Sequence, residues 1–161
     1  MVLRAYNSAN LRSPMDDLRI TAIHEAAHAV IALRLGLVFD RVTTVPDVDA
    51  ETDGALHWTE LQSSGDLEIS AAVDAMVLLA GPFAEAKLLE STLDEVLAGE
   101  PAGDDREALA TLGLTDQEFL SASRETLALV DQEWPMIERV ASELMQRDWL
   151  AFHEVESLLS S

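Results

Sequence analysis

The chain has 161 residues, of which 30 are Asp or Glu and 10 are Lys or Arg, giving a formal charge of −20 at pH 7. That length suits one domain of about 100–200 residues, and an apolar content of 48% supplies a core, which sets the chain apart from disordered acidic tails. The acidic excess argues against nucleic acid, whose phosphates need a basic face, and against anionic lipid, while the absence of Cys excludes disulfides, thiolate nucleophiles and sulfur-held metals.

Residues 1–14 are expected to be a flexible arm, and residues 15–161 a single domain with no linker or repeat. Ser13-Pro14 is an N-cap followed by Pro at the first helical position, with Asp16 and Asp17 favourably placed in the first turn. A helix is predicted from about Met15 to Leu35, stopped by Gly36. Leu37–Val45, rich in Val, Phe and Thr and closed by Pro46, is predicted as a strand, and Ala55–Leu61 as a second, the two pairing as a ribbon or small sheet. From Leu67 to Leu89 the apolar spacing is helical, with Gly81-Pro82 expected to kink or break the element.

An acidic loop is predicted over Ser91–Gly103. Asp104 and Glu107 then match an Asp-x-x-Glu cap for another helix, and Thr115 with Glu118 repeats the pattern for a helix through about Gln132. Trp134-Pro135 is expected to interrupt it, with helical periodicity resuming from Met136 to Met145, and Phe152–Leu159 forms a last short helix. No run reaches the roughly 18 apolar residues of a membrane span; Ile69–Ala84 comes nearest and is broken by Asp74 and Gly81-Pro82. The first residues lack a signal-peptide core. The expectation is a soluble, cytoplasmic, mostly helical chain (mainly α, with a minor sheet) that binds neither membrane nor nucleic acid. Its basic residues are nine Arg and one Lys, Lys87, a bias that fits either genome composition or a high-salt habitat.

Residues 24–28 read His-Glu-Ala-Ala-His. On a helix, His24 and His28 lie at i and i+4, so both imidazoles leave one face a turn apart. Two nitrogen ligands to one tetrahedral Zn²⁺ need that arrangement. Glu25 is rotated about 100° away, placed to take a proton from a water that the ion activates. It is the only charged residue between Ile20 and Leu33, and an unpaired carboxylate among such neighbours costs several kcal/mol. A third ligand is required. Asp105, near the middle of the face defined by Ala108, Leu109 and Leu112, is the first choice. Asp104 is better explained as the N-cap but remains an alternative, and Glu85 is a rival, either as a ligand or as a second-layer partner of a ligand histidine.

These residues resemble the peptidase domain of the FtsH-type AAA+ zinc metalloproteases. Thr21-Ala-Ile-His-Glu-Ala-Ala-His-Ala29 is similar to that family's T-A-x-H-E-A-G-H-A. Arg41–Pro46 and Gly54–Thr59 are similar to its K-V-T-I-x-P and A-L-G-x-T, and Leu79–Glu85 to its L-x-G-R-x-A-E. Gly103–Glu107 falls where the family has an Asn-Asp helix start, and Leu150–Val155 is similar to its closing L-x-x-x-E-I. Ala27 stands in place of a Gly and Pro82 in place of an Arg, and no Walker sequence occurs here.

The resemblance implies a zincin-like, mostly helical metallopeptidase with one Zn²⁺ per chain on His24, His28 and an acid at 104–105, with Glu25 as general base. It implies that the strand at Ala55, Leu56, His57 and Trp58 lies beside the cleft and holds an extended peptide by backbone pairing. Lacking the ATPase module, such a chain is expected to cut unfolded or short peptides, alone, as a homo-oligomer, or with a separate unfoldase. The alternative is a non-catalytic metal-binding or regulatory domain that keeps the peptidase fold. An intact Glu25 favours the enzyme, because a structural site closed by four protein ligands needs no base.

Overall fold

The computed structural model describes residues 13–45, 55–57, 62–63, 70–99 and 102–160; residues 1–12 of the predicted arm and the residues between these segments lie outside it, while Ser13 and Pro14, assigned to the arm, are the cap and first residue of a helix. The first helix, α1 (Pro14–Arg34), begins as its sequence requires: the Ser13 hydroxyl accepts from the Asp16 amide while the Asp16 carboxylate accepts from the Ser13 amide. It ends where Gly36 takes a φ of +76°, a conformation that costs a residue with a Cβ dearly. Eleven consecutive residues, Ala22–Ala32, are buried. A helix apolar on every side belongs at the centre of a fold, and α1 packs against α2 (Ala71–Leu89), α5 (Asp116–Arg147) and the strands together.

The predicted strand at Leu37–Val45 is in fact two, β1 (Leu37–Val38) and β2 (Arg41–Thr43), because the chain turns at Phe39-Asp40 to bury Phe39 in the core. β2 pairs antiparallel with β3 (Ala55–His57), so the predicted ribbon forms, with Val42 opposite Leu56. On its other side β2 pairs antiparallel with β5 (Trp149–Ala151), a strand that periodicity did not reveal, with Val42 opposite Leu150. A separate two-stranded sheet joins β1 to β4 (Gln62–Ser63). The molecule is mainly helical, with these small antiparallel sheets beside α1.

Three helical expectations are corrected. Neither internal Pro ends its helix: α2 runs through Pro82 and α5 through Pro135. Pro135 is exposed and so is Asp131, whose carbonyl loses its helical donor, so water can replace the missing bond. Pro82 is fully buried, and the packing of α2 against α1 and α5 outweighs the lost amide. The supposed loop at 91–103 contains a short helix, α3 (Leu93–Leu97), closed by a capping box of Thr92 and Glu95. Finally, α4 (Gly103–Thr111) starts one residue before Asp104; its N-cap is Ala102, so Asp104 is not the cap.

Thr115 and Glu118 form the expected capping box for α5, and α6 (Phe152–Leu159) has the predicted limits. Along α5 the buried residues Ala122, Thr126, Val130, Glu133, Ile137, Val140, Ala141 and Leu144 recur at helical spacing and join α1 and α2 in one core. The buried Glu133 carboxylate receives Arg34 from the last turn of α1 at 2.8 Å. No helix among the described residues is long and apolar enough to cross a membrane.

At the corner between α5 and β5, Asp148 has φ +65° and ψ −33°, a strained combination for a residue with a Cβ. The corner is held because its carbonyl accepts from the Thr44 amide and the Thr43 hydroxyl at 2.9 and 3.0 Å. Relieving the strain while keeping that carbonyl should stabilise the chain. Asp148→Gly is expected to gain about 1 kcal/mol, net of the glycine's greater freedom when unfolded. In thermal melts this should appear as a Tm higher by about 2–4 °C, and a lower Tm would contradict it.

Candidate metal centre

The middle of α1 places His24, Glu25 and His28 inside the protein, with 7%, 6% and 6% of their surface exposed. Each polar atom there needs a partner. The His28 Nδ1–H donates to the carbonyl of Val77 on α2 at 2.7 Å. A carbonyl can only accept, so this contact fixes the proton on Nδ1 and leaves the lone pair of neutral His28 on Nε2. His24 Nδ1–H donates to Glu85 Oε2, also on α2, at 3.2 Å. The two rings meet edge to face, 4.7 Å between centroids.

Asp105, from the first turn of α4, completes the group. Its Oδ2 lies 2.9 Å from His24 Nε2 and 3.5 Å from His28 Nε2. His24, His28 and Asp105 therefore present two nitrogens and one oxygen within 4.8 Å of one another, a set that could hold a metal ion. Donors on a tetrahedral ion at about 2.0–2.2 Å lie about 3.3–3.6 Å apart; the 3.5 Å separation matches this and the 2.9 Å one would open by a few tenths of an ångström. Asp104, next along α4, is exposed and outside this group, and Glu85 meets the far nitrogen of His24 rather than the shared space.

Glu25 is the exception to the rule of partners. Its Oε2 is buried without a hydrogen bond. Burial pushes its carboxyl above the usual range, while the charges of His24 and His28 pull the other way; those influences place it in the same electrostatic field as the ligand set. For His24, burial opposes the charged form, but hydrogen bonds to Asp105 and Glu85 outweigh it and push the imidazole up to about 10. His28 is raised as well, burial again being overcome by Asp105. Asp105 is held well below the usual carboxylate range: burial opposes this, and the two histidines prevail.

Sequence reasoning missed two features of α2. One is the Val77 carbonyl, which has no residue-type signature. The other is Gly81. A Cβ there would lie 2.6 Å from both Cδ2 and Nε2 of His24, and closer still to His28 Nε2. The signal was a Gly inside an apolar helical run, where a close approach is a standard reason for it. Of the expected peptide-holding residues, Ala55, Leu56 and His57 form β3, at the edge of its sheet and beside α1; Trp58 lies outside the described residues. No family model and no curated protein matches the chain.

Without an ion, the group is a buried cation–anion pair, and its pH dependence follows. His24, raised from 6.5 to about 10, contributes stability that is complete below about 6.5 and lost as pH climbs through about 10. Asp105, lowered from 3.8, contributes stability that is complete above about 3.8 and lost on acidification through its folded value. In the presence of chelator, Asp105→Ala should therefore cost about 3 kcal/mol near pH 6 and clearly less near pH 10. Urea denaturation at the two pH values measures this, and an equal loss at both would contradict it.

Proposed function

We propose that the chain is a zinc-dependent endopeptidase with the fold of the FtsH-type peptidase domain. The observation that carries this reading is the orphaned, buried Oε2 of Glu25, which feels the charges of His24, His28 and Asp105, next to a set of two histidine nitrogens and an aspartate oxygen that could hold an ion. A structural metal site would have no use for an unpartnered buried carboxylate, whereas a hydrolytic one requires a base that is not a ligand. Nitrogen and oxygen donors without sulfur suit Zn²⁺, and three protein ligands leave a position for water or substrate.

When bound there, zinc supplies Lewis acidity, lowering the pKa of water and polarising a carbonyl. The remaining work falls to the chain. His24 and His28 present Nε2, Asp105 adds the anionic ligand, and Glu85 and the Val77 carbonyl hold the rings. Glu25 accepts the proton of the attacking water and returns it to the leaving amine. Among the described strands β3 lies at the edge of its sheet, and an extended substrate would add there by backbone hydrogen bonds. Such a substrate is an unfolded or short peptide, whose extended backbone can lie along the strand.

Purified chain should carry close to one zinc and hydrolyse unfolded casein in a chelator-sensitive manner. Glu25→Gln should keep the zinc and lose activity by about 10²–10⁴-fold. Metal analysis beside a fluorescent casein assay makes the comparison. Wild type that binds zinc but matches Glu25→Gln across a peptide panel would leave a metal-binding domain without turnover.

A further inference from the structure

Val77, Gly81 and Glu85 are spaced four residues apart, so they form a single stripe along α2. The upper and lower members each take the Nδ1–H of one imidazole: Val77 through its carbonyl at 2.7 Å from His28, Glu85 through its carboxylate at 3.2 Å from His24. Between them Gly81 faces the opposite nitrogens of the same rings, and a Cβ would collide with both Nε2 atoms. Those are the atoms that would face an ion.

Neither side can yield cheaply. Turning the rings breaks their Nδ1 bonds to Val77 and Glu85. Moving α2 away opens a core in which Ala26, Ala27 and Ala29 of α1 and Ala80 and Ala84 of α2 are fully buried in one cluster, where lost contacts are not recovered.

Resting on the metal reading above, we propose that Gly81 is a positioning residue of the centre: its missing side chain lets α2 close onto both imidazoles, and the Val77–Gly81–Glu85 stripe commits each ring to the form that offers Nε2 to the metal. Glu85 alone would orient only His24. The stripe orients the pair, which explains how two adjacent ligands on one helix acquire the same tautomer from two chemically different acceptors.

The test uses the full chain with zinc as the probe. In the ¹⁵N-histidine NMR spectrum of the zinc-loaded wild type, His24 and His28 should both carry the proton on Nδ1 and be bound through Nε2. Gly81→Ala, with far-UV circular dichroism unchanged, should bind zinc about 100-fold more weakly in a competition titration, the upper end of what outer partners usually contribute, and should lose the shared tautomer. A folded Gly81→Ala that binds zinc within threefold of wild type would overturn the proposal. If that variant does not fold, the wild-type spectrum decides: coordination of either ring through Nδ1 overturns it, and Nδ1–H on both supports it. Wild type that takes up no zinc at all would remove the metal reading itself, whereas zinc uptake with indifference to Gly81 removes only this inference.

Discussion

The structure depends on burying a pair of imidazoles and a carboxylate in the middle of its most central helix. Ala22–Ala32 of α1 is enclosed on every side, so His24, Glu25 and His28 cannot reach bulk water for their hydrogen bonds. A buried polar group without a partner costs about 1–3 kcal/mol, and a charge more. Two helices, α2 and α4, answer that cost. α2 approaches closely enough for its backbone to serve His28 and its Glu85 to serve His24, and α4 is brought in so that Asp105 meets both Nε2 atoms. Of the polar atoms that this stretch of α1 buries, Glu25 Oε2 is left without a partner, a cost that the proposed chemistry would explain.

The alanines on this interface follow from the same constraint. Two helices normally pack about 8–10 Å apart, according to the side chains between them. Ala26, Ala27, Ala29, Ala80 and Ala84, all fully buried in one cluster, are small side chains that permit a close approach of α1 and α2, and a backbone carbonyl on one helix meets an imidazole on the other. Ala27, which stands where the FtsH-type pattern has Gly, is fully buried in this cluster, so its methyl fits the approach. Gly81 is the single point at which even a methyl cannot be accommodated. Pro82, its neighbour, removes the amide that would bond the Leu78 carbonyl. The helix ladder is thus already interrupted one residue from Val77, the carbonyl that His28 uses.

What the sequence made legible was local. Ser13, Thr115 and Glu118 announced helix starts because a capping side chain bonds within three residues of itself, and Gly36 announced an end through its positive φ. The His24/His28 spacing announced a shared face for the same reason, and the position of Asp105 on the apolar face of α4 pointed to the residue that meets them. Illegible were the features decided by distant partners. Pro82 and Pro135 looked like breaks because propensity weighs the missing amide and not the packing that overrides it. β5 is three residues long, too short for an alternation to register, and exists because β2 supplies its pairing. The start of α4 was misplaced because Asp104 has the chemistry of a cap, while the chain caps at Ala102 without a side-chain bond. The role of Gly81 depends on rings more than fifty residues earlier, and no local rule reaches that far.

The third ligand comes from an element held differently from the other two. α4 buries none of its residues fully; Leu109 and Leu112 pack against the small cluster of Ala75, Met76, Leu79 and Ala122, and Arg106 bonds the Leu97 carbonyl. Its tie to the metal-ligand set is Asp105, whose charge meets the two histidines. A cation that binds all three groups binds only the arrangement in which α4 is docked, so by mass action it stabilises that docking. Reciprocally, whatever holds α4 in place raises the affinity for the cation. The local charge acts in the same direction. Glu25, Glu85 and Asp105 bring three carboxylates around two imidazoles, and a divalent ion offsets most of the negative charge that remains when those imidazoles are neutral. The metal-free pair substitutes a proton for that ion, which is why His24 holds its proton so firmly. Proton and metal thus compete for one set of lone pairs, and either one offsets the charge that Asp105 brings to the two histidines.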